Sequence, residues 1–253
     1  MSEAATLLTR RPSRKDEAWR YADAGWLAAA DAEALAQWRE IVVPAGASLR
    51  ETSHIVEGGV TRLRVRVGSG GRYEHFAINS AGRYSRLELD VTLEEGAHLE
   101  FGGVTIGGGD KAQEFVTGVK HAPHSSSNQV VRAVQWGRST GNFLGRIAIP
   151  RDSQQVDAAQ NFKAILLEKG ASANAKPELV IHADDVKAAH GAAIGALDER
   201  AGYYMAARGI PPEIARKLLV RAFIADAFEA LDDDAEHDAL LEKALAALDE
   251  GAV

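Results

Sequence analysis

LEEGAHL, residues 93–99, runs from an apolar residue through two spacers to Gly-Ala, and the same plan returns in VPAGASL (43–49) and LEKGASA (167–173). Gly46, Gly96 and Gly170 stand 50 and 74 residues apart, both near multiples of about 25, a period typical of solenoid coils. Around these glycines the hydrophobic period is two. RLRVRV (62–67) and RLELDVTL (86–93) alternate strictly, and GRIAIP (145–150) and ELVIHA (178–183) continue the theme, which is the signature of strands with one buried face. Sixteen of the 24 glycines fall between Gly58 and Gly145, where they break any helical window. Short strands joined by tight corners follow. A stacked solenoid and a sandwich with evenly spaced turns both satisfy the pattern, and the pattern alone leaves the two open.

Outside this core the period lengthens. Residues 12–40 read as helical, with Asp31 as N-cap of AEALAQWRE and Leu35 and Trp38 on one face. After Leu197, Asp198 caps ERAGYYMAAR, Gly209 stands at the C′ position, and Pro211-Pro212 opens PEIARKLLVRAFIADAFEAL. That helix is apolar around most of its circumference and needs cover on more than one side. EHDALLEKALAAL (236–248) is a third helix that can supply part of it. The organisation expected is therefore an N-terminal helical segment (1–40), a strand-rich core (41–196) and a C-terminal helical subdomain (197–253).

Composition narrows the function. Of the net charge of −7, the stretch Asp232–Glu250 carries all, with eight acidic residues against Lys243. No basic stripe is left to follow a phosphate backbone, which argues against nucleic acid. No apolar run approaches the roughly 18 residues that span a bilayer, and MSEAATLLTRRPSRKDEAW has no secretory h-region. A cytoplasmic protein is expected, with no membrane partner. Cysteine is absent, so disulfides, thiolate zinc sites and a self-held iron–sulfur cluster are excluded.

Few residues offer chemistry. GVTIGGGDK (103–111) lacks the phosphate-loop spacing and reads as a β-corner. His121 and His124 in HAPHSSSNQ could bind metal, but two imidazoles without a third ligand make a poor site, and an exposed loop with a polar ladder fits as well. Asp184-Asp185 reads as a strand end with a turn-stabilising carboxylate. His190 sits in KAAHGAAIG (187–195), where small neighbours allow close backbone approach. A packed core or interface histidine is the plain reading there, and a ligand the alternative.

Several motifs together resemble the SufB/SufD family of iron–sulfur cluster assembly proteins. PSRKDEAWRYAD (12–23) is similar to its P-x-x-x-x-E-x-W-R-Y signature, and residues 176–223 carry K-P-x-L, A-D-D-V-K, H-G and the R-G-I helix in the family's order. HAPHSSSNQVVRAV and GNFLGRIAIPRDSQQVDAAQNFKAILLEKGA match its core. The resemblance implies a mainly β fold, a right-handed parallel β-helix flanked by helical segments, and so favours the solenoid. It also implies pairing of SufB with SufD, and binding of the ABC-type ATPase SufC through the C-terminal helices. Without cysteine, the chain resembles the SufD branch.

Two departures stand out. Many SufD proteins have a longer N-terminal region, and the family often has Cys two residues before His-Gly, where this chain has Ala188. Only His190 carries over as an iron or cluster contact at the junction with SufB. The expected function is a non-catalytic SufD-like subunit of a SufB–SufC–SufD scaffold. It would hold no cofactor alone, touch a transient iron or cluster at that junction, and self-associate when SufB is absent. Arg216, Leu219 and Phe223, spaced three and four apart, are the expected SufC-binding face. A structural homodimer, or a polysaccharide-lyase-type β-helix enzyme, is the alternative.

Overall fold

The computed structural model describes residues 11–249. The opening residues of the segment read for a secretory signal, and Glu250 of the acidic run, fall outside them. Twelve strands follow one another from Arg39 to Gly195: β1 (Arg39–Val43), β2 (Ser48–Ile55), β3 (Gly59–Val67), β4 (Arg72–Asn79), β5 (Tyr84–Leu93), β6 (His98–Gly107), β7 (Ala112–Lys120), β8 (Ser126–Gln135), β9 (Thr140–Ile149), β10 (Val156–Leu166), β11 (Ser172–Ile181) and β12 (Val186–Gly195). Odd strands form one six-stranded sheet and even strands the other. Every pairing within them is parallel. Successive strands thus alternate between two sheets, and each pair makes one coil of a six-coil parallel β-solenoid.

The corners explain the glycine pattern. Gly46, Gly70 and Gly96 all have φ near +65° (67°, 64° and 67°), and each donates its N–H to a carbonyl of the next coil: Ser69, Glu95 and Pro123. Left-handed backbone is free of Cβ penalty only for glycine. The column nevertheless continues through His124 and Gln155, both at φ 59°. Gly170 does not belong to it. It lies in the opposite corner, between β10 and β11, where a Cβ would meet the Gly137 carbonyl oxygen at 2.4 Å. The 50-residue spacing is therefore two coils, but the 74-residue spacing is not three. Coils also lengthen along the axis: Ser48 pairs with Arg72, whereas Ser126 pairs with Asp157 and Gly145 with Pro177.

Alternation along each strand sorts the side chains. Inward phases such as Leu63, Leu89, Leu99, Phe101, Phe115 and Phe143 build the core between the sheets. A fully buried side chain of this size contributes about 1.5–3 kcal/mol. The outward phases of β3 and β5 stack as opposite charges, with Arg62 on Glu88 at 3.1 Å and Arg64 on Asp90 at 3.4 Å. The even sheet is apolar on its outer face too. Phe76, Ile78, Val104, Ile106, Val134 and Trp136 are covered by the C-terminal helices.

The C-terminal helices are α3 (Glu199–Ala206), α4 (Pro212–Ala225) and α5 (Asp234–Asp249), of which α4 and α5 supply the cover, and they are preceded in the chain by α1 (Ala24–Ala29) and α2 (Ala32–Ala36). The capping expectations hold, since the Asp31 and Asp198 carboxylates accept from the N–H of Glu33 and Arg200, and Gly209 has φ 81°. The continuous helical reading of 12–40 does not hold. Only a 3-10 turn (Glu17–Trp19), α1 and α2 form. Trp38 lies beyond α2 in extended chain because β1 already pairs with β3 from Arg39. The guanidinium groups of Arg62 and Arg64 lie 3.9 and 4.5 Å from its ring.

Candidate functional site

The two ends of the solenoid differ in chemistry. At the β1/β2 end, polar groups close the interior. Arg39 makes a bidentate contact with Glu51, and the Tyr73 hydroxyl donates to Glu51 at 2.9 Å. The His75 ring lies between the Tyr73 oxygen (2.9 Å from Nδ1) and the Ser53 hydroxyl (3.0 Å from Nε2). Burial holds the His75 imidazole neutral, pushing its pKa down to about 4. Every member of this network has a partner.

At the β11/β12 end the interior is left uncovered. By register with buried neighbours, the inward positions of the last coil are Ala173, Ala175, Pro177, Leu179 and Ile181 on β11, and Val186, Ala188, His190, Ala192 and Ile194 on β12. His190 is the one polar side chain in that layer. Ile181 and Ile194 are exposed, as is His190 itself. Both strands are last in their sheets, so each offers an unpaired backbone edge. Alanines and glycines along β12 let another backbone come close. Asp184 and Asp185 lie in the exposed turn between the two strands, where the Asp185 N–H donates to the Gln154 side chain at 2.9 Å. The two residues do stand at a strand end, and the bond cited there is made by a backbone N–H rather than by a carboxylate.

Beneath His190 runs a short polar row. Its register partner one coil inward is Gln160, and Gln160 in turn pairs with Gln129. The Thr117 hydroxyl donates to Gln129 Oε1 at 2.6 Å. Gln160 is 2% exposed, yet neither its amide oxygen nor its amide nitrogen has a hydrogen-bond partner. Its oxygen lies over Gly145, where a Cβ would come within 2.0 Å. Sequence reasoning missed this residue. A polar residue in the apolar phase of VDAAQNF, one coil length before His190, was the available signal.

The N-terminal motif reaches the same coil. Glu17 bonds Lys176 of β11 at 2.6 Å, joining the E-x-W-R-Y and K-P-x-L motifs. Trp19 is buried over the Arg86 guanidinium at 4.0 Å, and Arg86 Nη1 donates to the Ala18 carbonyl.

On the C-terminal helices, Arg216, Leu219 and Phe223 do not form one exposed face. Arg216 is exposed, whereas Leu219 is half-buried and Phe223 packs on the cluster over the even sheet, 5.9 Å from the Arg132 guanidinium. The exposed apolar surface lies beside them, at Tyr203 (82% exposed), Tyr204, Ile214 and Leu218. Ile214 and Leu218 are four apart and share a helix face.

The remaining candidates have structural settings. His121 is buried, its Nδ1 bonded to Ser125 Oγ (2.8 Å) and its Nε2 to Ser127 Oγ (3.0 Å), and burial pushes its pKa down to about 4. His124 is an exposed corner residue. Gly107–Gly109 turn the chain between β6 and β7, with the Trp136 ring filling the space beside Gly108. Among the described residues no three His, Cys, Asp or Glu side chains are grouped to hold a metal ion, and no helix is long and apolar enough to cross a membrane.

Comparison with known proteins places this arrangement. A family model described as SUF system FeS cluster assembly, SufBD core domain, matches residues 23–223. An iron–sulfur cluster assembly SufBD family protein of Synechocystis is 31% identical over 174 residues, covering 68% of this chain and 38% of that protein. SufD of Escherichia coli is 32% identical over 109 residues, covering 43% and 26%. SufD of Bacillus subtilis is 31% identical over 123 residues, covering 48% and 28%. The matched stretches thus span well under half the length of these relatives. The chain belongs to the SufBD core-domain family of the SUF system of iron–sulfur cluster assembly, and it is most like the members named SufD.

Proposed function

We propose that the chain is a non-catalytic, cytoplasmic SufD-like subunit that pairs with a SufB-like paralogue and binds a SufC-like ABC ATPase. The observation that carries this reading is the uncovered interior layer of the last coil. Ten inward positions that would be core in an inner coil face outward along the axis there, and nine of them are apolar. Such a surface is stable in water only when another layer is stacked on it. A homologous solenoid supplies that layer and pairs with the β11 and β12 edges by strand addition. His190 then lies inside the junction, where thiolates from the partner complete a ligand set that this chain lacks. Alone, the chain holds no cluster, and two copies cover each other's open ends when the paralogue is absent.

The ATPase belongs on the helices. Arg216, Leu219 and Phe223 border Tyr203, Tyr204, Ile214 and Leu218, and these last four make an exposed apolar surface of the kind that docks partners. α4 touches α3, α5 and β8, so movement of a bound ATPase would be felt at the solenoid wall.

Co-expression of the chain with the SufB-like and SufC-like proteins of the same organism, and anaerobic purification of the complex, tests the reading. The three proteins should co-purify. His190→Ala should leave assembly intact, since alanine matches its neighbours, and should lower iron and sulfide in the complex. Failure of the paralogue to co-purify, or full iron and sulfide with His190→Ala, would overturn the reading.

A further inference from the structure

We propose that Gln160 is the positioning residue for His190, its side-chain amide hydrogen-bonding the imidazole and fixing which ring nitrogen is left free to bind. The inference rests on His190 being the ligand-bearing residue of the junction. It starts from a buried amide with neither of its polar atoms partnered, which is rare in folded proteins and calls for a role. The neighbouring glutamine of the row is held at one of its two polar atoms. One coil further in, Gln129 receives the Thr117 hydroxyl from across the core. At the level of Gln160 the position across the core, in register with Thr117, is Gly145, which has no group to offer. Gln160 is therefore left with its two neighbours along the column: Gln129 on the inner side, whose amide nitrogen is also unpartnered, and His190 toward the open end.

In-register side chains on adjacent parallel strands stand about 4.8 Å apart at their bases, within reach of a glutamine amide and an imidazole on the same face. Gln160 lies one coil inward and the open end lies on the other side of the ring. Turned from Gly145 toward the column, the amide oxygen accepts from the ring nitrogen nearer Gln160, which then carries the proton. The other nitrogen keeps its lone pair and faces the junction. Ligating histidines are commonly oriented in this way, through a hydrogen bond from the ring nitrogen that does not bind. The glycine at 145 acquires a purpose in the same scheme. Any side chain there would collide with the Gln160 oxygen and displace the amide from the column.

The test uses the full chain labelled with nitrogen-15 at its eight histidines, at a pH where the His190 ring is neutral. Long-range proton–nitrogen spectra report the tautomer, and His190→Ala assigns the signal. His190 should occupy one tautomer in the wild type. It should lose that bias in Gln160→Met, which keeps the shape and removes the acceptor, and keep it in Gln160→Glu, which restores an acceptor. A mixture of tautomers in the wild type would overturn the proposal without any variant, and an unchanged bias in a folded Gln160→Met would do so with one. In the co-expressed complex, Gln160→Met should weaken retention of ferrous iron by about 10–100-fold. Should His190→Ala leave iron untouched while the tautomer still depends on Gln160, the ligand reading fails and the positioning stands.

Discussion

Acid should unfold this protein through two buried histidines. His75 and His121 are each 1% exposed and neutral, with both ring nitrogens of each engaged by hydroxyl groups. Burial lowers both from the ordinary 6.5 to about 4. In the unfolded chain each ring takes up a proton as pH falls through 6.5, while the folded chain resists until about pH 4. Between these values the unfolded state binds more protons, so stability is complete above pH 6.5 and declines as pH falls toward 4. At about 1.4 kcal/mol per pH unit, each ring accounts for about 3 kcal/mol across the window. The two together approach the whole stability of an ordinary domain, about 5–15 kcal/mol. Urea unfolding followed by circular dichroism at half-unit steps from pH 7 to 4.5 measures the slope. His121→Asn, which can keep the bond to Ser125 and cannot titrate, should remove about one proton's worth of slope, about 1.4 kcal/mol per pH unit. It should be less stable than wild type at pH 7, and the gap should narrow as pH falls. Parallel curves for wild type and variant would refute the assignment of acid sensitivity to this ring.

Two further substitutions test the packing. Gly102→Ala places a Cβ 2.1 Å from the Ala227 carbonyl oxygen and 2.6 Å from the Phe76 ring. It should therefore lift the C-terminal helices from the even sheet, at a cost of about 1–3 kcal/mol in a urea melt, with new protease cuts after Gly195; wild-type stability would show that the contact is not tight. Gln155→Gly relieves a left-handed residue in the corner column and should raise stability by about 0.5–1 kcal/mol, the left-handed penalty less the entropy of glycine. A loss of stability would mean that the Gln155 side chain holds the corner.

Much of the molecule can be read from local chemistry. Strict alternation locates β3 and β5 because one face is core and the other a ladder of opposite charges, and Asp31, Asp198 and Gly209 mark helix ends by their capping bonds. What escapes is anything set by stacking. Gly170 matches the corner motif in sequence, yet it turns the opposite corner, because coils lengthen from 24 residues at Ser48–Arg72 to 32 at Gly145–Pro177. His124 and Gln155 hide two corners by occupying a glycine conformation. Trp38 fits a helical face, but pairing of β1 with β3 overrides that local preference. At the candidate site, His190 is visible as a histidine among small residues and through the motif around it. Gln160 is not, since its meaning depends on a neighbour 30 residues away and on an empty place across the core.

The lengthening of the coils bears on symmetry. A stack of parallel strands carries complementary edges at its two ends, and identical ends would let copies join head to tail without limit, as fibres do. Here such a joint would set a coil of about 30 residues on one of 24, and lay an apolar layer against the Arg39–Glu51 bridge. Both the outline and the polarity of the two cross-sections disagree. Wide end against wide end has no such mismatch, and a two-fold axis there brings β12 against its counterpart antiparallel and uses up both open ends at once. Under the proposed pairing, the taper favours a closed pair over a growing filament, and it does so by shape, before any particular side chain is recognised.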